Sequence, residues 1–202
     1  MAFEWNNSAL MDLETCGERF RRKYIEKDQR PRSVPMVRGI AFHTTVKRVY
    51  MKKLKEGEYP SVEEAEDLAA TDFDAEWDRG EVVVDGEDVD EIGSSSVRGE
   101  TKDLVIALTG YDRTTLAPGI NPVGVERKVV VKPLDSDIVI HGTMDLVHGG
   151  VDGDVIIDKK TGTKAPNKHA ADNSQQFDCY GLLRLAETQR LPKAYRQDHV
   201  YR

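Results

Sequence analysis

A chain of 202 residues, 39% apolar and 32% charged, suits one globular domain, residues 1–202, with a single substantial core rather than a disordered or fibrous protein. No apolar run reaches the roughly 18–20 residues of a membrane span, and the N-terminus lacks a signal-peptide apolar region. Two distant cysteines exclude a disulfide framework and point to a reducing, cytoplasmic setting. The formal charge of −7 hides an asymmetry: Arg19 to Lys55 holds 13 Lys/Arg against two acids, whereas Glu56 to Asp103 holds 18 acids against three bases. Polyanion affinity follows the local field, so the net charge does not exclude a phosphate-rich partner. The basic block is either a set of solvated helix faces or a docking patch, with Arg21, Arg22, Lys47 and Arg48 as its candidates. For the acidic stretch an inert solvated loop competes with a partner surface.

The first element, "NNSALMDLETCGERFRRKYIEK", reads as one amphipathic helix with Ser8 as N-cap and Leu10, Leu13, Phe20 and Tyr24 near one stripe. A Pro-punctuated loop follows. A second helix runs from about Arg38 to Gly57, with His43 on the side that Val46 and Tyr50 share. Ser61, with Glu64 three residues on, opens a third helix through a capping box. The acidic stretch Glu81–Ser96 reads as a mobile connection, and the segment from Ser96 to Pro118 as helix. From there the period changes. Three β-rich runs, "VGVERKVVVKPL", "DIVIHGTMDLVHGG" and "DGDVIIDKKTG", form an antiparallel meander, followed by a helix over "NSQQFDCYGLLRLAETQ" and a last strand in "AYRQDHVYR". The fold class is α/β (α+β): residues 1–118 mainly helical, residues 119–202 a mixed central sheet flanked by helices.

"VIIDKKTGTK", Val155 to Lys164, ends an apolar strand in a carboxylate and two ammonium groups. A strand-end salt bridge accounts for Asp158 and Lys160 taken alone. Asp145 in "GTMDLV" changes the balance, because a hairpin turn near Gly150–Val151 brings it beside Asp158. Two adjacent carboxylates repel and need a cation, a shared proton or a basic partner. Hard oxygen donors in an open site suit Mg²⁺ or Mn²⁺ and phosphate oxygens. Lys160 shares the side of Asp158 on an extended strand and can hold a nucleophile and offset charge on phosphate. Lys159 points away, although its backbone carbonyl can reach a metal. Gln176 and Tyr180, four apart, share a helical face and can hydrogen-bond the phosphate or the carboxylates.

The combination "GTMDLV…VIIDKKTGTK…QFDCY" resembles the core of the PD-(D/E)XK nuclease superfamily, in the branch of RecB-like exonucleases and CRISPR-associated adaptation nucleases. The likeness runs from "SALMDLETCGERF" to Tyr180. It implies a restriction-endonuclease-like core in which Asp145 and Asp158 are metal carboxylates, Lys160 the catalytic lysine, His43 a member of the metal shell, Glu126 the upstream supporting acid, and Gln176 and Tyr180 the helix motif. Many relatives place the first cysteine of an iron–sulfur cluster where Cys16 stands. Such a cluster takes four thiolates and this chain holds two cysteines, so none is expected.

The resemblance thus implies a Mg²⁺- or Mn²⁺-dependent DNase on single-stranded DNA or duplex ends, most simply an exonuclease. Two alternatives stand beside it: a nuclease subunit with protein partners in a recombination or adaptation complex, and a catalytically idle DNA-binding module on the same fold.

Overall fold

A computed structural model describes residues 3–28, 31–84, 91–133, 136–162 and 174–200. The chain divides into two units. One comprises Met1–Arg30, Glu126–Asp158 and Asn167–Gln197; the other comprises Pro31–Val125, Lys159–Pro166 and Asp198–Arg202.

The first unit opens with strand β1 (Glu4–Trp5) and helix α1 (Asn7–Thr15). Asn6, not Ser8, is the N-cap: its side-chain oxygen accepts from the Ala9 amide at 2.9 Å. The single long helix expected here is broken. Cys16 is extended (φ −162°, ψ 106°), and the chain restarts as α2 (Gly17–Phe20), running into a wide π turn over Arg21–Ile25. Aromatic packing accompanies the break, with Trp5 stacked on Phe20 and Phe3 edge-on to Trp5.

The second unit carries β2 (Arg32–Ser33), α3 (Val34–Glu56), α4 (Val62–Trp77), β3 (Val82–Val83) and α5 (Glu91–Tyr111). Helix α3 begins four residues earlier than the sequence suggests, because Pro35 sits in its first turn, where a missing N–H is harmless. It ends on Gly57, in the left-handed conformation at φ 83°. The Ser61 capping box is formed in both directions, at 3.1 and 3.0 Å. Helices α3, α4 and α5 pack on one another around Phe42, Val46, Val49, Ala65, Ala69, Phe73 and Val105, all buried. Part of the expected mobile connection is regular structure: Glu91–Ser96 is the start of α5 and Val82–Val83 pairs with β2, while residues 85–90 lie outside the described residues. A second π turn, Asp112–Leu116, follows α5.

The remaining elements are β4 (Pro122–Val131), β5 (Val139–Gly150), β6 (Gly153–Thr161), α6 (Gln175–Thr188) and β7 (Ala194–Val200). The sheet has the order β1-β5-β6-β7, with β4 also paired to β5. It is mixed: β1 runs parallel to β5, while β5 and β6 are antiparallel. Strands β4, β6 and β7 pass from one unit into the other at Val125/Glu126, Asp158/Lys159 and Gln197/Asp198. In the first unit, Phe177, Tyr180 and Leu183 of α6 pack on Val129, Met144, Val147 and Ile156 of the sheet.

Candidate active site

The β5–β6 hairpin sets the first relationship. Gly150 pairs with Gly153, so the turn is Val151–Asp152, one residue beyond the centre expected from sequence. Moving the turn by one residue shifts each cross-strand partner by two, so every side chain keeps its face and only the residue opposite it changes. The register runs through Val147↔Ile156 to Leu146↔Ile157, and the next residues along it are Asp145 and Asp158. The strand is buried on both faces from Ile156 to Lys159. Asp158 is only 1% exposed, so its carboxylate is part of the interior and needs donors.

It has them. Gln176 Nε2 donates to Asp158 Oδ1 at 3.0 Å, and Gln197 Nε2 to Oδ2 at 3.4 Å. Gln176 also donates to the Tyr180 hydroxyl at 2.7 Å, which in turn donates to the Thr143 carbonyl at 2.7 Å. The motif helix is thereby tied to both β5 and β6. Burial pushes the Tyr180 phenol above its ordinary range; the Gln176 bond works against this, and the charges of Asp145, Asp158 and Glu126 reinforce it. The phenol therefore remains protonated and keeps its hydrogen for Thr143. Gly142 explains the close seat of α6: a Cβ there would lie 2.6 Å from Leu183 Cδ1 and 3.4 Å from the Tyr180 ring.

Glu126 joins from β4, where its backbone is left-handed at φ 48°. A non-glycine residue in this region carries strain, and such residues cluster at functional sites. Buried positions on β4 change from even to odd numbers across Glu126, as a bulged residue requires. The outcome is that Glu126 and Asp145, both half-buried, each offer a carboxylate oxygen within 4.8 Å of the other. Carboxylate oxygens are the donors that hard divalent cations prefer.

Lys160 lies two residues beyond Asp158 on β6 and is half-buried. His43 is half-buried on α3, its ring edge-on to Phe42 at 5.9 Å. Lys159 has partners that the sequence did not indicate. Its side chain is wholly buried in the second unit, donating to Asp112 Oδ1 at 2.6 Å, Asp198 Oδ2 at 2.9 Å and the Tyr50 hydroxyl at 3.3 Å. Burial raises the Asp112 carboxyl above its usual range, with the Lys159 ammonium pulling it back down. No sequence signal marked this network or Gln197, because their partners lie far along the chain.

The basic candidates are exposed and mostly engaged. Arg21 and Arg22 both donate to Glu18 at 2.8 Å, holding its carboxyl down at about 2. Arg48 pairs with Asp72 at 2.6 Å, and Lys47 is exposed beside it on α3. Cys16 is exposed and Cys179 half-buried, its thiol raised above the ordinary value chiefly by burial. Among the described residues, no helix is long and apolar enough to cross a membrane.

The profile of the PD-(D/E)XK nuclease superfamily matches residues 4–201. No curated protein matches the chain.

Proposed function

The chain belongs to the PD-(D/E)XK nuclease superfamily, a family of metal-dependent nucleases, and from that premise we propose that it is a deoxyribonuclease acting on linear or single-stranded DNA in the manner of RecB-like exonucleases. The observation that carries the reading is the Asp158 carboxylate, buried at the end of an apolar strand and held by the Gln176 amide while Asp145 follows opposite in register. A buried acid with this support serves no evident packing need.

Glu126, Asp145 and Asp158 would hold Mg²⁺ or Mn²⁺. A bound divalent cation supplies Lewis-acid polarisation of the phosphate and lowers the pKa of a coordinated water. The chain's own groups do the rest. Gln176 fixes the rotamer of Asp158, and Tyr180 locks Gln176 through its own bond to Thr143. The Lys160 ammonium orients the attacking water and offsets negative charge as it develops on the scissile phosphate. The two cysteines, unpaired with one another, fit a cytoplasmic setting.

Arg21, Arg22, Lys47 and Arg48 steer the strand. The exposed ion pairs of Arg21, Arg22 and Arg48 are weak and exchange readily for phosphate. Reversing these charges raises KM for DNA and flattens the log–log salt dependence by about one unit of slope for each phosphate no longer neutralised; an unaltered slope would refute steering.

The test uses linear and closed circular DNA with Mg²⁺, Mn²⁺ or EDTA. Degradation of linear DNA alone, lost in EDTA and in Asp158→Ala, is expected. Nicking of circles would replace the exonuclease reading with an endonuclease. Cleavage that survives both EDTA and Asp158→Ala would remove the metal mechanism altogether.

A further inference from the structure

The resemblance and the family match account for the Gln176 and Tyr180 side of Asp158. They leave its other oxygen unexplained. Gln197 Nε2 approaches Asp158 Oδ2 at 3.4 Å, while Gln176 Nε2 holds Oδ1 at 3.0 Å. The carboxylate is thus bracketed by two neutral amides, one from α6 and one from β7. Amides suit this task better than cations. A lysine or arginine in either place would neutralise the acid and compete with a metal, whereas an amide donor fixes the plane of the carboxylate and leaves its charge in place.

The next residue in each strand supplies an anchor. Asp198 follows Gln197 and accepts from Lys159, which follows Asp158, at 2.9 Å. Strands β6 and β7 are neighbours in the sheet, and side chains alternate faces along a strand. Consecutive residues of β7 therefore grip consecutive residues of β6 from opposite faces: an amide on the carboxylate, then a carboxylate on the ammonium. Lys159 is wholly buried and Asp198 nearly so, so this second grip lies out of water and holds the β7 backbone beside β6.

We infer that Gln197 is a positioning residue for the proposed cleavage chemistry: it fixes the second oxygen of Asp158, completing the bracket that Gln176 begins, so that the acid presents one defined face to a divalent cation. The inference rests on the nuclease reading above.

Gln197→Met keeps the length and bulk of the side chain and removes the donor. In the full-length chain, Mn²⁺ alone is titrated by calorimetry, and cleavage of linear DNA is followed in parallel. A loss of about tenfold in Mn²⁺ affinity is expected, with kcat reduced at fixed metal, KM for DNA unchanged and the thermal midpoint retained. Saturating Mn²⁺ should recover most of the lost rate, an outcome that a general loss of packing does not produce. Gln197→Asn, which retains a donor on a shorter arm, should fall between the two. Equal Mn²⁺ affinity and kcat in wild type and Gln197→Met would overturn the role of Gln197 while leaving the nuclease reading intact. A wild-type chain that neither binds Mn²⁺ nor cleaves DNA would overturn the nuclease reading itself, and with it any reason to orient Asp158.

Discussion

From the first turn of α6, Gln176 donates to Asp158 Oδ1 at 3.0 Å, joining a helix residue to a strand residue 18 positions earlier in the chain. The same amide donates to Tyr180, so the helix motif is an internal brace for an acid.

Removal of that brace has a defined signature. Gln176→Leu should lower cleavage by about 10–100-fold, the usual penalty for losing a group that orients a metal carboxylate. The Mn²⁺ concentration at half-maximal rate should rise with it. A fall in kcat with no change in metal requirement would instead place Gln176 on the substrate.

Lys159 should govern stability more than any exposed cation. Lys159→Met strands Asp112 and Asp198 in the interior and should destabilise the fold by about 3–5 kcal/mol, read from urea unfolding. Replacing all three together, by Lys159→Met with Asp112→Leu and Asp198→Leu, should recover much of the loss, since an apolar set of similar volume removes the unpaired charge. If the single variant unfolded at the wild-type midpoint, the described ion network would have no part in stability.

Gly142→Ala places a methyl group against Leu183 and the Tyr180 ring, both buried. A cost of about 1–3 kcal/mol is expected from overpacking, together with a loss of rate as α6 is pushed away from β5. Leu183→Ala in the same chain should restore part of the rate by vacating the space. Simple additivity of the two losses would show that the close seat of α6 does not matter.

Alkaline pH tests the Tyr180 environment. The unfolded phenol releases its proton near the usual 10, and the folded one, pushed up chiefly by burial, releases it higher. Between those values the folded state holds more protons, so stability should fall as pH rises past about 10 and be fully present below it. Tyr180→Phe removes this contribution. The difference in unfolding free energy between wild type and variant should therefore be flat from pH 7 to 9 and shrink above 10.

Local chemistry carried the parts of the structure that were legible from sequence. The Ser61 capping box spans three residues and forms as written. The period of β5 and β6 located the two acids on paired strands, and the spacing of Gln176 to Tyr180 placed them on one helical face. Misreadings arose where two local solutions compete. Asn6 and Ser8 are both good caps, and Asn6 wins with a bond to Ala9; nothing in the periodicity of the first helix announces the extended backbone at Cys16. The Lys159 network was out of reach for a different reason. Its carboxylates lie 47 and 39 positions away, and no pattern within β6 distinguishes a lysine that meets them from one that faces solvent. Residues 163–173, which include the end of the "VIIDKKTGTK" segment, lie outside the described residues.

The Val151–Asp152 turn works as a ruler. Its side chains matter little, since Val151 is fully open to solvent and Asp152 makes only an exposed ion pair with Lys193, yet its length decides which residue on one arm meets which on the other. Evolution and engineering should thus find this hairpin tolerant of spelling and intolerant of counting. Exchanging either tip residue ought to pass unnoticed, whereas deleting one would shift the arms by a notch and part the acids that the hairpin exists to match.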